Sequence, residues 1–122
     1  MGTFTATIAI ADPQRQRWEP LVALVDTGST YTWIPRDVLE RLSVQPEFRW
    51  EFETADGRVI ERDVAETAAR MDGQQRTTLV VFGEPGSMPL LGAYTLEAFG
   101  LAADPVNRRL IRVRGLAMAA FS

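Results

Sequence analysis

Residues 3–11 are β-branched and apolar with rough alternation, and Asp12-Pro13-Gln14 then breaks the pattern, which predicts a strand followed by a turn. A second strand is predicted over residues 20–26. Its unbroken run Leu21-Val22-Ala23-Leu24-Val25 is the pattern of a strand buried on both faces, and it delivers Asp26 at its end. Residues 31–34 favour extended structure, and Pro35 is placed to open a short helix carrying Val38, Leu39 and Leu42. Residues 48–53 alternate again. The turn Ala55-Asp56-Gly57 separates them from a strand over residues 59–65, since Asp-Gly between alternating segments is a strong hairpin signal. Met71-Asp72-Gly73 is a second such turn, leading into a strand over residues 77–82. Beyond the loop Glu84-Pro85-Gly86-Ser87, Leu90-Leu91 precedes Gly92 and a helix over residues 93–99 that Gly100 closes, and a final strand covers residues 109–113. The pattern predicts an all-β fold with one or two short helices.

Composition narrows what such a fold can do. A chain of 122 residues with 46% apolar content fits one domain, here residues 1–122. Neither cysteine nor histidine occurs, which excludes Ser-His-Asp and Cys-His catalysis, thiolate or imidazole metal sites and any disulfide framework. No metal and no cofactor are expected; the chemistry left belongs to carboxylates, hydroxyls, amines and backbone. A formal charge of −3 gives no reason to propose nucleic-acid binding. The densest basic stretch, Arg108, Arg109, Arg112 and Arg114, alternates with Leu110, Ile111 and Val113 as the solvated face of a terminal strand would. No apolar run is long enough to span a bilayer, and Met1-Gly2-Thr3-Phe4 lacks the basic and apolar regions of a secretory signal, so the expectation is a cytoplasmic protein without membrane contact. The segment 115–122 is apolar and rich in small residues, and its role is left open.

The informative motif is Asp26-Thr27-Gly28-Ser29-Thr30, directly after the apolar strand. Three features follow it in order: the Ala55-Asp56-Gly57 hairpin, the apolar strand Thr78-Leu79-Val80-Val81-Phe82, and Leu90-Leu91-Gly92-Ala93 opening a helix. Together they resemble the retropepsin-like, single-domain aspartic proteases over nearly the whole chain, residues 3–113. The resemblance implies an acid-protease half-barrel and an aspartic endopeptidase acting on polypeptide. It implies Asp26 as the catalytic carboxylate, Thr27 bonding across a two-fold axis, Gly28 bringing backbone close to the carboxylates, and Ser29 hydrogen-bonding the catalytic carboxylate. It also implies Ala55, Asp56 and Gly57 as the tip of a substrate-covering flap, although a plain surface hairpin explains these three equally well. Only Asp26 is followed by Thr-Gly, so one chain holds half a site, and a homodimer would bring the second carboxylate to the axis. Trp33 reads as a core residue, whereas Trp50 is either a substrate contact or part of an exposed sheet face.

Two other readings fit parts of this pattern. The same five residues are similar to the first phosphate loop of sugar kinases, actin and chaperone ATPases, but those folds need two large lobes and a second phosphate loop that 122 residues do not supply. A non-catalytic member of the retropepsin fold, serving as a dimerisation or peptide-binding module, is the alternative to an enzyme; the intact Asp26-Thr27-Gly28 argues mildly against it.

Overall fold

The apolar runs pair into a curved sheet that closes on itself. The computed structural model describes residues 3–115, so the segment 116–122 lies outside the described residues. The strands are β1 (Thr5–Ala11), β2 (Trp18–Val25), β3 (Thr32–Pro35), β4 (Phe48–Glu53), β5 (Val59–Met71), β6 (Gln74–Gly83), β7 (Leu90–Leu91), β8 (Leu101–Asp104) and β9 (Arg109–Arg112). Two short helices, α1 (Arg36–Arg41) and α2 (Ala93–Ala98), interrupt them. The main sheet runs β1-β2-β7-β3-β6-β5-β4, and β5 also pairs with β1 through Ala9↔Arg70 and Ile10↔Ala69. Strands β8 and β9 form a separate antiparallel ribbon.

Closure depends on the length of β5. Its first half pairs with β4 and its second half with β6, and Val64 is the pivot, opposite Phe48 on one side and Val81 on the other. The β4–β5 hairpin therefore projects from the barrel instead of lining it. The second half, Glu66-Thr67-Ala68-Ala69-Arg70, has no strand-forming pattern of its own. Small side chains there let β1 and β6 approach, and Ala65 and Ala69 are fully buried. The turn Asp72-Gly73 that follows has positive φ at both residues, 51° and 73°, the geometry two-residue hairpins use.

The core is built from Ile8, Ile10, Ile34, Leu39, Val80, Phe82, Leu91 and Leu96, all at most 2% exposed. One expectation about it fails: β2 is not buried on both faces. Ala23 and Val25 point into the core, but Val22 is 57% exposed and Leu24 only half-buried. The strand lies in a one-layer barrel wall, so alternate side chains face outward whatever their polarity. The closing segment is a pair of strands, β8 ahead of the strand expected over residues 109–113. Asp104 Oδ1 accepts from the backbone N–H of Val106 (3.1 Å) and Asn107 (3.2 Å), and this turn folds β9 back on β8. Among the described residues, no helix is long and apolar enough to cross a membrane.

The β1–β2 turn rests on Asp12, which is 5% exposed and accepts from the backbone N–H of Gln16 and of Arg17, both at 2.7 Å. The hydrogen bond that the Arg17 N–H donates is the largest cause holding the Asp12 carboxyl below the ordinary aspartate value of 3.8. A depressed folded-state value stabilises the fold above the unfolded value, and that contribution is lost as pH falls through the folded value. Asp12→Ala is accordingly expected to lower the melting temperature at pH 7, with the gap to wild type shrinking below pH 3.8. Thermal melts from pH 7 to pH 2 check this, and a gap that stays constant counts against it.

Candidate active site

Asp26 stands where β2 leaves the sheet, and the backbone around it is tied from two sides. Strand β7 inserts between β2 and β3, with Leu24↔Leu90 and Val25↔Leu91 in parallel register. The Asp26 N–H donates to the Leu91 carbonyl (3.0 Å), and the Ser29 N–H donates to the Asp26 carbonyl (3.1 Å), closing the loop. From the other side, Ala93 N–H donates to the Ser29 carbonyl (2.9 Å) and Tyr94 N–H to the Thr30 carbonyl (2.8 Å). The loop is thus clamped by the segment that joins β7 to α2.

Gly92 sits between these braces. Its φ of −94° is open to any residue, so the requirement there is space. A Cβ at this position would lie 2.8 Å from the Ser29 carbonyl oxygen and closer still to the Tyr31 carbonyl. The Leu90-Leu91-Gly92 motif therefore has a structural reason: the residue after the brace must let the Asp26 loop pass against it.

The Asp26 carboxylate accepts a hydrogen bond from Gly28 N–H at 3.1 Å. A Cβ on Gly28 would come within 3.3 Å of the same oxygen. Gly28 thus brings backbone against the carboxylate. Ser29 differs from its expected placement: its hydroxyl donates to the Tyr31 carbonyl at 2.8 Å, turning away from Asp26 to fix the loop's exit. Thr27 is exposed at the tip of the loop, where a second chain could reach it.

A cleft of about 400 Å³ runs beside this loop, walled by residues 28–31 and Trp33 on one side and by residues 50–53 of β4 on the other. Alternation along β4 puts Phe48, Trp50 and Phe52 on one face. Phe52 lies edge-on to Trp33 (5.2 Å between centroids) and to Tyr31 (6.0 Å), and Tyr31 also meets Tyr94 at 5.8 Å. Trp50 is 53% exposed, and with Tyr31, Phe48 and Val64 it lines a smaller apolar pocket of about 90 Å³. Trp33 is half-buried and shared between cleft and sheet, while Trp18 lies away from the cleft, beneath the Arg70 guanidinium. Sequence reasoning missed Tyr31 and Phe52 as wall residues, although the Phe-x-Trp-x-Phe alternation of β4 was a readable signal.

The hairpin that carries this wall is anchored at its base. Asp63 of β5 binds Arg36 of α1 and Arg49 of β4 (2.9 Å to the latter), and Arg36 leads the causes that hold the Asp63 carboxyl low. At the tip, Gly57 N–H donates to the Thr54 carbonyl (2.9 Å) with Gly57 at φ 84°, and Asp56 is held by Thr54 and Arg58. Ala55, Asp56 and Gly57 lie outside the cleft lining, beyond the wall residues of their own strand. A separate hollow of about 450 Å³, beside Asp12 and Thr67, contains none of the motif residues.

Comparison with known proteins bears on the family and the fold. A family model described as aspartyl protease matches residues 7–95, a span that includes the Asp26 loop, the hairpin and Gly92. The fold is similar to the solution structure of the simian foamy virus (mac) protease, with a TM-score of 0.55 over 76% of this chain and 91% of that chain at 22% identity. No curated protein sequence matches the chain.

Because the Gly92 contacts are backbone to backbone, they have no side chain to give way. Gly92→Ala is expected to cost about 2–3 kcal/mol in chemical denaturation, as overpacking of a tight site does. A cost below about 0.5 kcal/mol would show that the loop is not held by this approach.

Proposed function

Because the chain belongs to the aspartyl protease family, we propose that it is an aspartic endopeptidase, active as a homodimer, in which the Asp26 carboxylates of two chains activate one water. The observation that carries this reading is the clamped Asp26-Thr27-Gly28 loop, with its carboxylate against Gly28 N–H and its flank open to an aromatic-walled cleft. Each chain offers one such loop. A two-fold axis through the loop tips would set two identical carboxylates together.

Two carboxyl groups in contact do not both ionise cheaply, so the pair holds one proton, as it does in aspartic proteases generally. The ionised member takes a proton from the water as its oxygen attacks the scissile carbonyl carbon, and the protonated member gives its proton to the carbonyl oxygen. The resulting tetrahedral gem-diol collapses with cleavage of the C–N bond. The carboxyl that took the water's proton gives it to the leaving nitrogen, the other carboxylate takes a proton from a gem-diol hydroxyl, and the pair returns to its one-proton state. No covalent bond to the enzyme forms. Thr27 would bond across the axis and support the pair, and Gly28 N–H steadies the ionised oxygen.

The polypeptide would lie extended in the cleft, with side chains against Tyr31, Trp33, Trp50 and Phe52 and with the Ala55-Asp56-Gly57 tip closing over it. Loop and wall contribute in different ways. The clamped loop fixes the reacting groups, while the hairpin, held at its base by Asp63 and along its wall by Phe52 against Tyr31 and Trp33, carries its tip beyond those contacts.

Cleavage of a mixed peptide library should fall at least about a thousandfold in Asp26→Asn, the scale expected when an acid–base pair is lost. Sedimentation should still find the dimer. A variant that cleaves as well as wild type would contradict the reading. A stable dimer that cuts nothing from pH 4 to 7 would favour a binding or dimerisation module.

A further inference from the structure

Three of the five buried polar or charged side chains among the described residues belong to one hydrogen-bonded chain: Thr32, Thr95 and Thr78, at 0%, 0% and 4% exposure. Thr32 Oγ1 lies 2.6 Å from Thr95 Oγ1, which lies 2.8 Å from Thr78 Oγ1. The chain therefore ties together β3, α2 and β6. It ends on Gly92, whose N–H donates to Thr32 Oγ1 at 3.1 Å.

That end point matters because of its neighbours. Leu91, before Gly92, accepts the Asp26 N–H, and Ala93, after it, donates to Ser29. The hydroxyl chain thus grips the one residue that separates the two braces of the Asp26 loop. Valine matches threonine in shape and would fill all three positions without a buried polar group, so packing alone gives no reason for hydroxyls there.

We propose that Thr32, Thr95 and Thr78 are positioning residues, which set the Asp26 loop through Gly92 without touching substrate. The proposal rests on the reading of Asp26 as half of a protease dyad. A loop held through a rigid hydroxyl relay keeps its carboxylate in register with the one across the axis, where small displacements are costly.

The test compares Thr95→Val with Thr95→Ser, which keeps the hydroxyl, and with Thr67→Val, a buried threonine whose hydroxyl has no partner among the described residues. Amide hydrogen exchange at Asp26, Ser29 and Ala93 is measured against Ile8 and Ile10 in the barrel, alongside kcat and KM. Thr95→Val should speed exchange at the three loop amides by about tenfold, leaving Ile8 and Ile10 unchanged. It should also lower kcat by about tenfold or more with KM within about twofold. Thr95→Ser and Thr67→Val should resemble wild type. If Thr95→Val does not fold, Thr78→Val at the far end of the chain decides in the same way. Loop exchange unchanged in Thr95→Val, or raised equally throughout the barrel, would overturn the proposal. A wild-type protein that cleaves nothing would sink the protease reading, and the exchange comparison would still decide the positioning one.

Discussion

The structure depends on one close approach, the passage of the Asp26 loop over Gly92. On either side of that contact a backbone hydrogen bond joins loop to brace, Asp26 to Leu91 and Ala93 to Ser29. Neither bond forms unless the two backbones can come this near, and only a residue without a side chain permits it. Everything that could give Asp26 a chemical role follows from a loop that is exposed yet held in place. Exposed loops are ordinarily the least ordered parts of a fold, and here the barrel supplies what the loop lacks.

The barrel's connectivity explains how. Inserting β7 between β2 and β3 sets the end of one strand beside the start of the next, so the loop that joins β2 to β3 is pinned from within by a segment distant in sequence. The long β5 does two jobs: its second half closes the barrel against β1, and its first half carries the projecting β4 with the aromatic wall. Clamped loop and projecting wall are thus built from one continuous sheet.

Much of this was legible in the sequence, for identifiable reasons. The strand at Phe48–Glu53 has the bounds that its alternation gives, and Leu90-Leu91-Gly92 followed by a helix holds as read. Both are local signals. What escaped were consequences of distant partners. Nothing in Glu66-Thr67-Ala68-Ala69 says strand until β1 and β6 lie on either side of it. The apolar run of β2 could not reveal that Val22 faces outward, because hydrophobicity without alternation carries no information on facing. The Ser29 hydroxyl turned to Tyr31 since the loop's own carbonyl lay within reach. The threonine relay was invisible because three threonines far apart in sequence look like ordinary β-strand and helix residues until the fold unites them.

The central claim is that one chain holds half of a two-carboxylate site. Titration calorimetry with a statine-type transition-state mimic, run beside sedimentation, tests this most directly. The account predicts saturation at one mimic per two chains, with binding lost in Asp26→Asn. Saturation at one mimic per chain, or equal binding to the variant, would contradict it.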